Sequence, residues 1–428
     1  MTEILAAAIN AVNPYTAVRD HFAVEEGQII VDKHRIDLDD IERIFLVGAG
    51  KAGLPMAEAL IGMLGKRVTD GIVIVKEGYG GVDQLGKVKI REARHPLPDE
   101  RGVQATEELL EIVSGASEKD LVICVISGGG SALMTAPVDG FWLGEMSELT
   151  AALMASGAAI VEINTVRKQL DQVKGGGLAK AAFPAQVVSL ILSDVVGDPL
   201  GVIASGPTVP GQETNADAIE ILKRYDLLGF IPVEVFDRWQ TAETADHGIE
   251  IDRVMNILVG CNTQAAEAAR RKAGELGLNA AVLSTRLEGE ARQVGAELAG
   301  VLRRMVEESD PLGRPGVLIA GGETTVTIRG GGRGGRNQEL ALAAVEGLAG
   351  LEDIALVTLA TDGGDGNSMA AGAVVTGETL ASAKDLSLAP AASLEWNDSD
   401  TFFKALDDQV ITGPTQTNVN DLVFLFVF

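Results

Sequence analysis

Five apolar runs in the chain end in residues suited to handling an anion. Ile44-Phe45-Leu46-Val47 enters Gly48-Ala49-Gly50-Lys51-Ala52-Gly53, and Leu121 to Ile126 enters Ser127-Gly128-Gly129-Gly130-Ser131. Val187 to Leu192 enters Ser193-Asp194 and runs on to Asp198. Val317 to Ala320 ends at Gly321-Gly322-Glu323-Thr324, and Leu356 to Leu359 ends near Thr361-Asp362-Gly363. Glycine lets a ligand approach the backbone, and bare N–H groups at a helix start attract phosphate. Gly48, Gly50, Gly128, Gly129, Gly130 and Ser131 are therefore candidates for a phosphate cradle, with Glu323 and Asp362 at comparable strand ends. The ammonium of Lys51, inside its turn, suits a phosphate or a carboxylate. Asp194 and Asp198 are placed to hold a hard cation such as Mg²⁺, and Asp194 to accept a hydroxyl proton. Aspartates also cap turns and helices, so each carries a purely structural reading as well. The segment Arg329 to Glu339, RGGGRGGRNQE, opens an Ala/Leu-rich helix, and Arg333 and Arg336 there form a cationic trap for anions.

Other patterns count against rival chemistries. GAGKAG matches GxGxxG, but dinucleotide binding wants an acid at the end of the next strand, about 20 residues on. That strand ends in Val75-Lys76-Glu77, so the acid comes late and behind a lysine. Gly81 to Lys87 fits GxxxxGK, yet Val88 stands where Ser or Thr would hold magnesium, and a strand rather than a helix is expected next. His95, in ARHPLPDE, reads as a turn residue. There is no CxxC, no histidine cluster and no GxSxG nucleophile elbow.

The elements that must position these residues follow from periodicity. Helical spacing marks residues 3–12, 54–64, 102–113, 263–276 and 290–307, alternating with short continuous apolar runs. That alternation indicates parallel strands covered by helices on both faces. The fold class expected is α/β in two domains, residues 1–250 and 251–428, the N-terminal one a Rossmann-like, mainly parallel sheet. Pro207 to about Glu250 reads as the connection, and the last strand is allowed to return to the N-terminal domain. Ligands bind outside the carboxyl ends of strands in such sheets, so the active site is expected in the interdomain cleft. Both glycine-rich loops, at Lys51 and at Arg336, suggest mobility, with the 330–336 loop poorly ordered until substrates bridge the cleft.

Composition narrows the partners. With 428 residues, 46% of them hydrophobic and 22% charged, the chain is globular and long enough for more than one core. A formal charge of −26 repels nucleic acid and anionic lipid, so neither is expected as a partner. Two cysteines, both in apolar runs, fit a reducing cytoplasmic setting. Uncharged stretches such as Leu149 to Val161 fall short of the ~20 residues that span a bilayer.

Taken in order, VGAGKAG, HPLPDE, ISGGGSALM, NTVRKQL, VKGG, LSDVVGD, ASGPTVP, GGETTVT, GRGGRNQE, ATDGGDG, NDSDTFF and TGPTQTNVNDL resemble the glycerate 2-kinase family, the DUF4147 plus MOFRL type. The resemblance runs from about Lys51 to Asp421. It implies phosphorylation of glycerate at its 2-hydroxyl with ATP and Mg²⁺, catalytic roles for Lys51 and Arg336, and an acidic partner, Asp194, in SDVVGD. Which of Lys51 and Arg336 faces the phosphoryl group is left open. Partners are then limited to the small substrate and, at most, a second copy in a homodimer. Members are also labelled hydroxypyruvate reductases, so an NAD(P)H-dependent reductase and a non-catalytic sensor of nucleotides or sugar phosphates remain as alternatives. The chain departs from the family at Gln169, where histidine is frequent, at Gly177, where arginine is common, and at Asn367-Ser368-Met369, where a Pro-Thr-Asp run is usual.

Overall fold

The structure, a computed structural model, describes residues 1–241 and 253–428. The chain forms two compact units, one built from 14–192 and 199–259, the other from 1–13, 193–198 and 260–428. The units thus interleave along the chain. The cut placed at residue 250, and the end of the stretch read as a connection, lie outside the described residues.

The first unit opens with a three-stranded antiparallel meander, β1 (Phe22–Glu25), β2 (Gln28–Val31) and β3 (His34–Asp37), whose central strand buries alternate residues, Ile29 and Val31. Its main sheet comprises β4 (Arg43–Ala49), β5 (Val68–Lys76), β6 (Gln84–Leu85), β7 (Val88–Ala93), β8 (Asp120–Ile126), β9 (Gln186–Leu192) and β10 (Val254–Gly260). The spatial order is β10-β9-β8-β4-β5-β7-β6. The β9/β8, β8/β4, β4/β5 and β5/β7 pairs are parallel, and short β6 closes one edge antiparallel to β7. Every residue of β8 is buried, as a central strand covered on both faces requires. The Gly81–Lys87 segment contains β6, leads into β7 and opens no helix, so its GxxxxGK spacing is not a phosphate loop.

The stretch from Pro207 to residue 241 is more than a connection. It forms the helices Asn215–Arg224 and Val233–Thr241. Their Leu222 and Val235 share a core with Leu153 and Val166 of the helices Leu143–Ala155 and Ile160–Gln169. Prolines and charges at one face concealed two amphipathic stripes.

The second unit holds β11 (Asn279–Leu287), β12 (Gly316–Gly322), β13 (Ile354–Ala360), β14 (Gly372–Val375), β15 (Gln409–Val410) and β16 (Asp421–Val427), in the order β11-β12-β16-β13-β14-β15. Only β11/β12 is parallel; β16 runs antiparallel to both β12 and β13. This second sheet is thus mainly antiparallel, unlike the first, and the last strand, free by sequence to return to the first unit, pairs within the second. The reason is its composition: all seven residues of β16 are buried, with Leu425 in the helical core and Phe424 stacked on Phe426, and only a central slot covers both faces. Among the described residues no helix is long and apolar enough to cross a membrane.

Candidate active site

In the first unit, the two glycine-rich turns interlock. The turn after β4 leads into the helix Gly53–Leu64, and the turn after β8 into a short helical turn at Gly130–Leu133. Lys51 N donates to Gly128 O at 2.9 Å, Ala52 N to Ser127 Oγ at 3.0 Å, and Ser127 N to Ala49 O at 3.1 Å. Lys51, Gly50, Gly128, Gly129, Gly130 and Ser131 are thereby brought together. Gly48 and Gly50 have a further reason for their type. A Cβ on Gly48 would lie 1.9 Å from Val125 O, and one on Gly50 2.0 Å from Ser127 Oγ. Side chains at these positions would separate β4 from β8, whatever ligand binds.

Around these turns lies further polar chemistry, including residues that motif spacing alone did not mark, such as Ser205, Asp171 and Lys174. Ser131 Oγ and Ser205 Oγ are 2.8 Å apart. Ala204 and Ser205 both adopt left-handed backbone, at φ 50° and 63°, although neither is glycine. That strained turn is clasped by Gly175 N to Ser205 O and Gly176 N to Gly206 O, at 2.9 and 2.7 Å. Behind the clasp, Lys174 and Asp171 form a buried ion pair, and Thr135 Oγ1 donates to Asp171 Oδ2 at 2.6 Å. Burial pulls Lys174 down from its ordinary value, against the attraction of Asp171. The Arg167 guanidinium also feels Asp171, is partly buried, and has no hydrogen-bond partner among the described residues. Two of the departures, Gln169 and Gly177, sit nearby. Gln169 donates to Glu213 O at 3.0 Å, and a Cβ on Gly177 would lie 2.0 Å from Gln172 O, so this backbone is built around glycine there.

In the second unit, Arg336 begins the helix Arg336–Leu348. Its Nε donates to Asp421 Oδ2 at 2.5 Å, its Nη1 to Glu323 Oε1 at 2.5 Å, and its Nη2 reaches Asp421 Oδ1 at 3.5 Å. Three of the five N–H groups of a guanidinium are thus engaged, and two remain for a ligand. Asn337 Nδ2 donates to Asp421 Oδ1 at 2.8 Å, and Asn262 Nδ2 holds the Asp421 carbonyl at 2.9 Å. Asp365 accepts from Asn337 N and Gln338 N, at 3.0 and 2.8 Å, capping the helix start. Of the other strand-end candidates, Glu323 pairs with Arg336, and the Oδ1 of Asp362 accepts from Gly364 N at 3.2 Å within its own turn.

The tract before Arg336 is clasped. Asn397 Oδ1 accepts from Arg329 N and Gly330 N, Asp398 Oδ1 from Arg333 N, and Asn367 Oδ1 from Gly334 N, all between 2.7 and 3.0 Å. A Cβ on Gly332 would meet Asp398 Cβ at 2.5 Å, and one on Gly335 would meet Asp365 Oδ1 at 2.4 Å. These glycines permit tight packing under the NDSD segment, which accounts for them without any appeal to mobility.

Ser193–Asp198 belongs with Arg336 by its contacts and not with Lys51, contrary to the grouping suggested by sequence order. Ser193 N donates to Gly260 O at 2.8 Å, and the Arg286 guanidinium lies against Gly197. Asp198 adopts φ 57° beside Cys261, whose thiol is pushed up by burial and further by the Asp198 carboxylate. Among the described residues no group of three or more His, Cys, Asp or Glu side chains converges to hold a metal ion. Asp194 and Asp198 supply hard oxygen donors, which fits a Mg²⁺ that keeps water and phosphate as its remaining ligands.

Burial raises Asp421 to about 6, against the pull of Arg336. A carboxyl raised in the folded state binds its proton more tightly there than in the unfolded chain. Its contribution to stability is present below the ordinary range near pH 4 and is lost as pH rises through about 6. Asp421→Asn removes that loss. The stability of the variant relative to the original should therefore increase between pH 4 and pH 6.5, as read from denaturant midpoints. A difference that stays flat with pH would show that Asp421 does not titrate in this window.

Residues 1–240 match the family model described as a domain of unknown function, DUF4147, and residues 316–421 match the MOFRL family. A D-glycerate 2-kinase of Thermotoga maritima is 42% identical over 425 residues, 98% of this chain and 96% of that protein. A putative hydroxypyruvate reductase of Agrobacterium vitis is 42% identical over 384 residues, 89% of this chain and 86% of its own length. The crystal structure of a glycerate kinase from Thermotoga maritima superposes with a TM-score of 0.90 at 40% identity, covering 100% of this chain and 98% of that one.

Proposed function

The chain belongs to the glycerate 2-kinase family of DUF4147 and MOFRL proteins, and on that premise we propose that it is a glycerate 2-kinase, phosphorylating the 2-hydroxyl of glycerate with ATP. The observation that carries this reading is the pair of interlocked glycine turns, which seats Lys51 against the Ser127–Ser131 loop. A lysine locked there suits the oxygens of a phosphate and is out of place in a nicotinamide fold.

Transfer of a phosphoryl group through a loose transition state calls for positioning and charge compensation. Lys51 supplies a point charge from a rigid turn. Arg336 supplies a planar fork whose orientation is set by Asp421 and Glu323, with two N–H groups left for a carboxylate or phosphoryl oxygen. Asp194 is the group assigned to take the proton of the attacking hydroxyl. Mg²⁺ bound at Asp194 and Asp198 would offset phosphate charge.

The direct test follows ADP formation with glycerate beside NADH oxidation with hydroxypyruvate. ADP formation, with a 2-phosphoglycerate signal in phosphorus NMR of the product, is expected. NADH oxidation alone would place the chain with the reductases, and neither activity would favour a sensor. Chelation should abolish turnover, and added Mg²⁺ should restore it. Full turnover after exhaustive chelation would remove the metal from the mechanism.

A further inference from the structure

His95 sits beside the turn that carries Lys51. A Cβ on Gly129 would lie 3.0 Å from His95 Cδ2, 3.2 Å from His95 Nε2 and 3.5 Å from Lys51 Cγ. The ring edge and the lysine stem therefore flank one bare α-carbon, and glycine at 129 is what allows both to be there. The imidazole is partly buried, and neither ring nitrogen has a hydrogen-bond partner among the described residues. Asp99 of its own loop and Glu77 after β5 are each engaged by Arg101, at 2.7 and 3.1 Å.

We propose that His95 is a further substrate-binding residue, forming with Lys51 the two sides of a subsite over Gly129 for an anionic oxygen. The oxygen comes from the glycerate carboxylate or from the nucleotide phosphates, an assignment that rests on the kinase reading. The electrostatics agree with the geometry. Burial, then Lys51, then Lys76 push the imidazole down to about 4, so it is neutral at physiological pH. A neutral imidazole offers one donor and one acceptor, and its N–H complements the ammonium of Lys51 without adding charge. An anion arriving between them counters the two lysines and raises the titration midpoint of the ring.

The chain has four histidines, so imidazole resonances in NMR are few, and His95→Gln identifies the one in question. Glycerate, inorganic phosphate and a non-hydrolysable ATP analogue are added separately to the intact protein. At least one should shift the His95 resonance and move its midpoint upward; which one does so identifies the source of the oxygen. In steady-state kinetics, His95→Leu should raise KM for that ligand by a factor of about 10, with a smaller change in kcat, and His95→Gln, which keeps an N–H, should recover part of it. A His95 resonance unmoved by saturating concentrations of all three ligands would overturn the proposal. A shift with phosphate in a protein without kinase activity would support the anion subsite and overturn the kinase reading.

Discussion

Lys51→Ala should lower kcat by a factor on the order of 100 or more, while the protein remains folded. The two halves of this expectation have separate causes. The turn is held by main-chain groups, with Gly50 N donating to Ile74 O and Lys51 N to Gly128 O, and none of these bonds uses the lysine side chain. Removing the side chain therefore leaves the interlocked turns in place. What is lost is a fixed positive charge beside the Ser127–Ser131 loop, where the proposed reaction redistributes negative charge. Circular dichroism and the thermal midpoint should stay near the original values as turnover collapses. Normal turnover in a folded variant would exclude Lys51 from the chemistry.

Arg336→Ala should behave differently, because it costs stability as well as turnover. Arg336 is the counter-charge of Asp421, which is 9% exposed, and it also pairs with Glu323. Removing one partner of a buried pair leaves the other charge uncompensated, at a cost of about 3 kcal/mol. The loss of kcat should again be on the order of 100-fold or more if the guanidinium stabilises transferring charge. Arg336→Lys keeps the charge but cannot reproduce a fork directed at two carboxylates, so it should fall between the two in both measurements. Adding Asp421→Asn to Arg336→Ala removes the stranded carboxylate and should restore part of the stability with no recovery of turnover. A double variant no more stable than Arg336→Ala would mean that Asp421 is not the source of the loss.

The elements around these residues were legible to different degrees. The strand leading into Lys51 and the helix after it could be read because a continuous apolar run gives way abruptly to glycine and then to helical spacing. The helices at 215–224 and 233–241 were missed because their apolar stripes are interrupted by charges that face away from the shared core. The meander of β1 to β3 escaped because three four-residue strands leave too short a record of alternation.

What the sequence determined by itself was local: which runs are apolar enough to be buried, which turns are glycine-rich, and that Lys51, Asp194 and Arg336 stand at the ends of elements. The ordered set of motifs extended this to membership of the family. What only the tertiary structure decided was who meets whom. Glu323 and Asp421, 98 residues apart, converge on one guanidinium because β16 enters the sheet beside β12. His95, just after β7, reaches Gly129, just after β8, although β4 and β5 lie between those strands in the sheet, and Ser193–Asp198 packs with residues from 260 onward. Each of these depends on strand order in a sheet. Many strand orders satisfy the same alternation of apolar runs, and the choice among them is made by long-range packing that no local window contains.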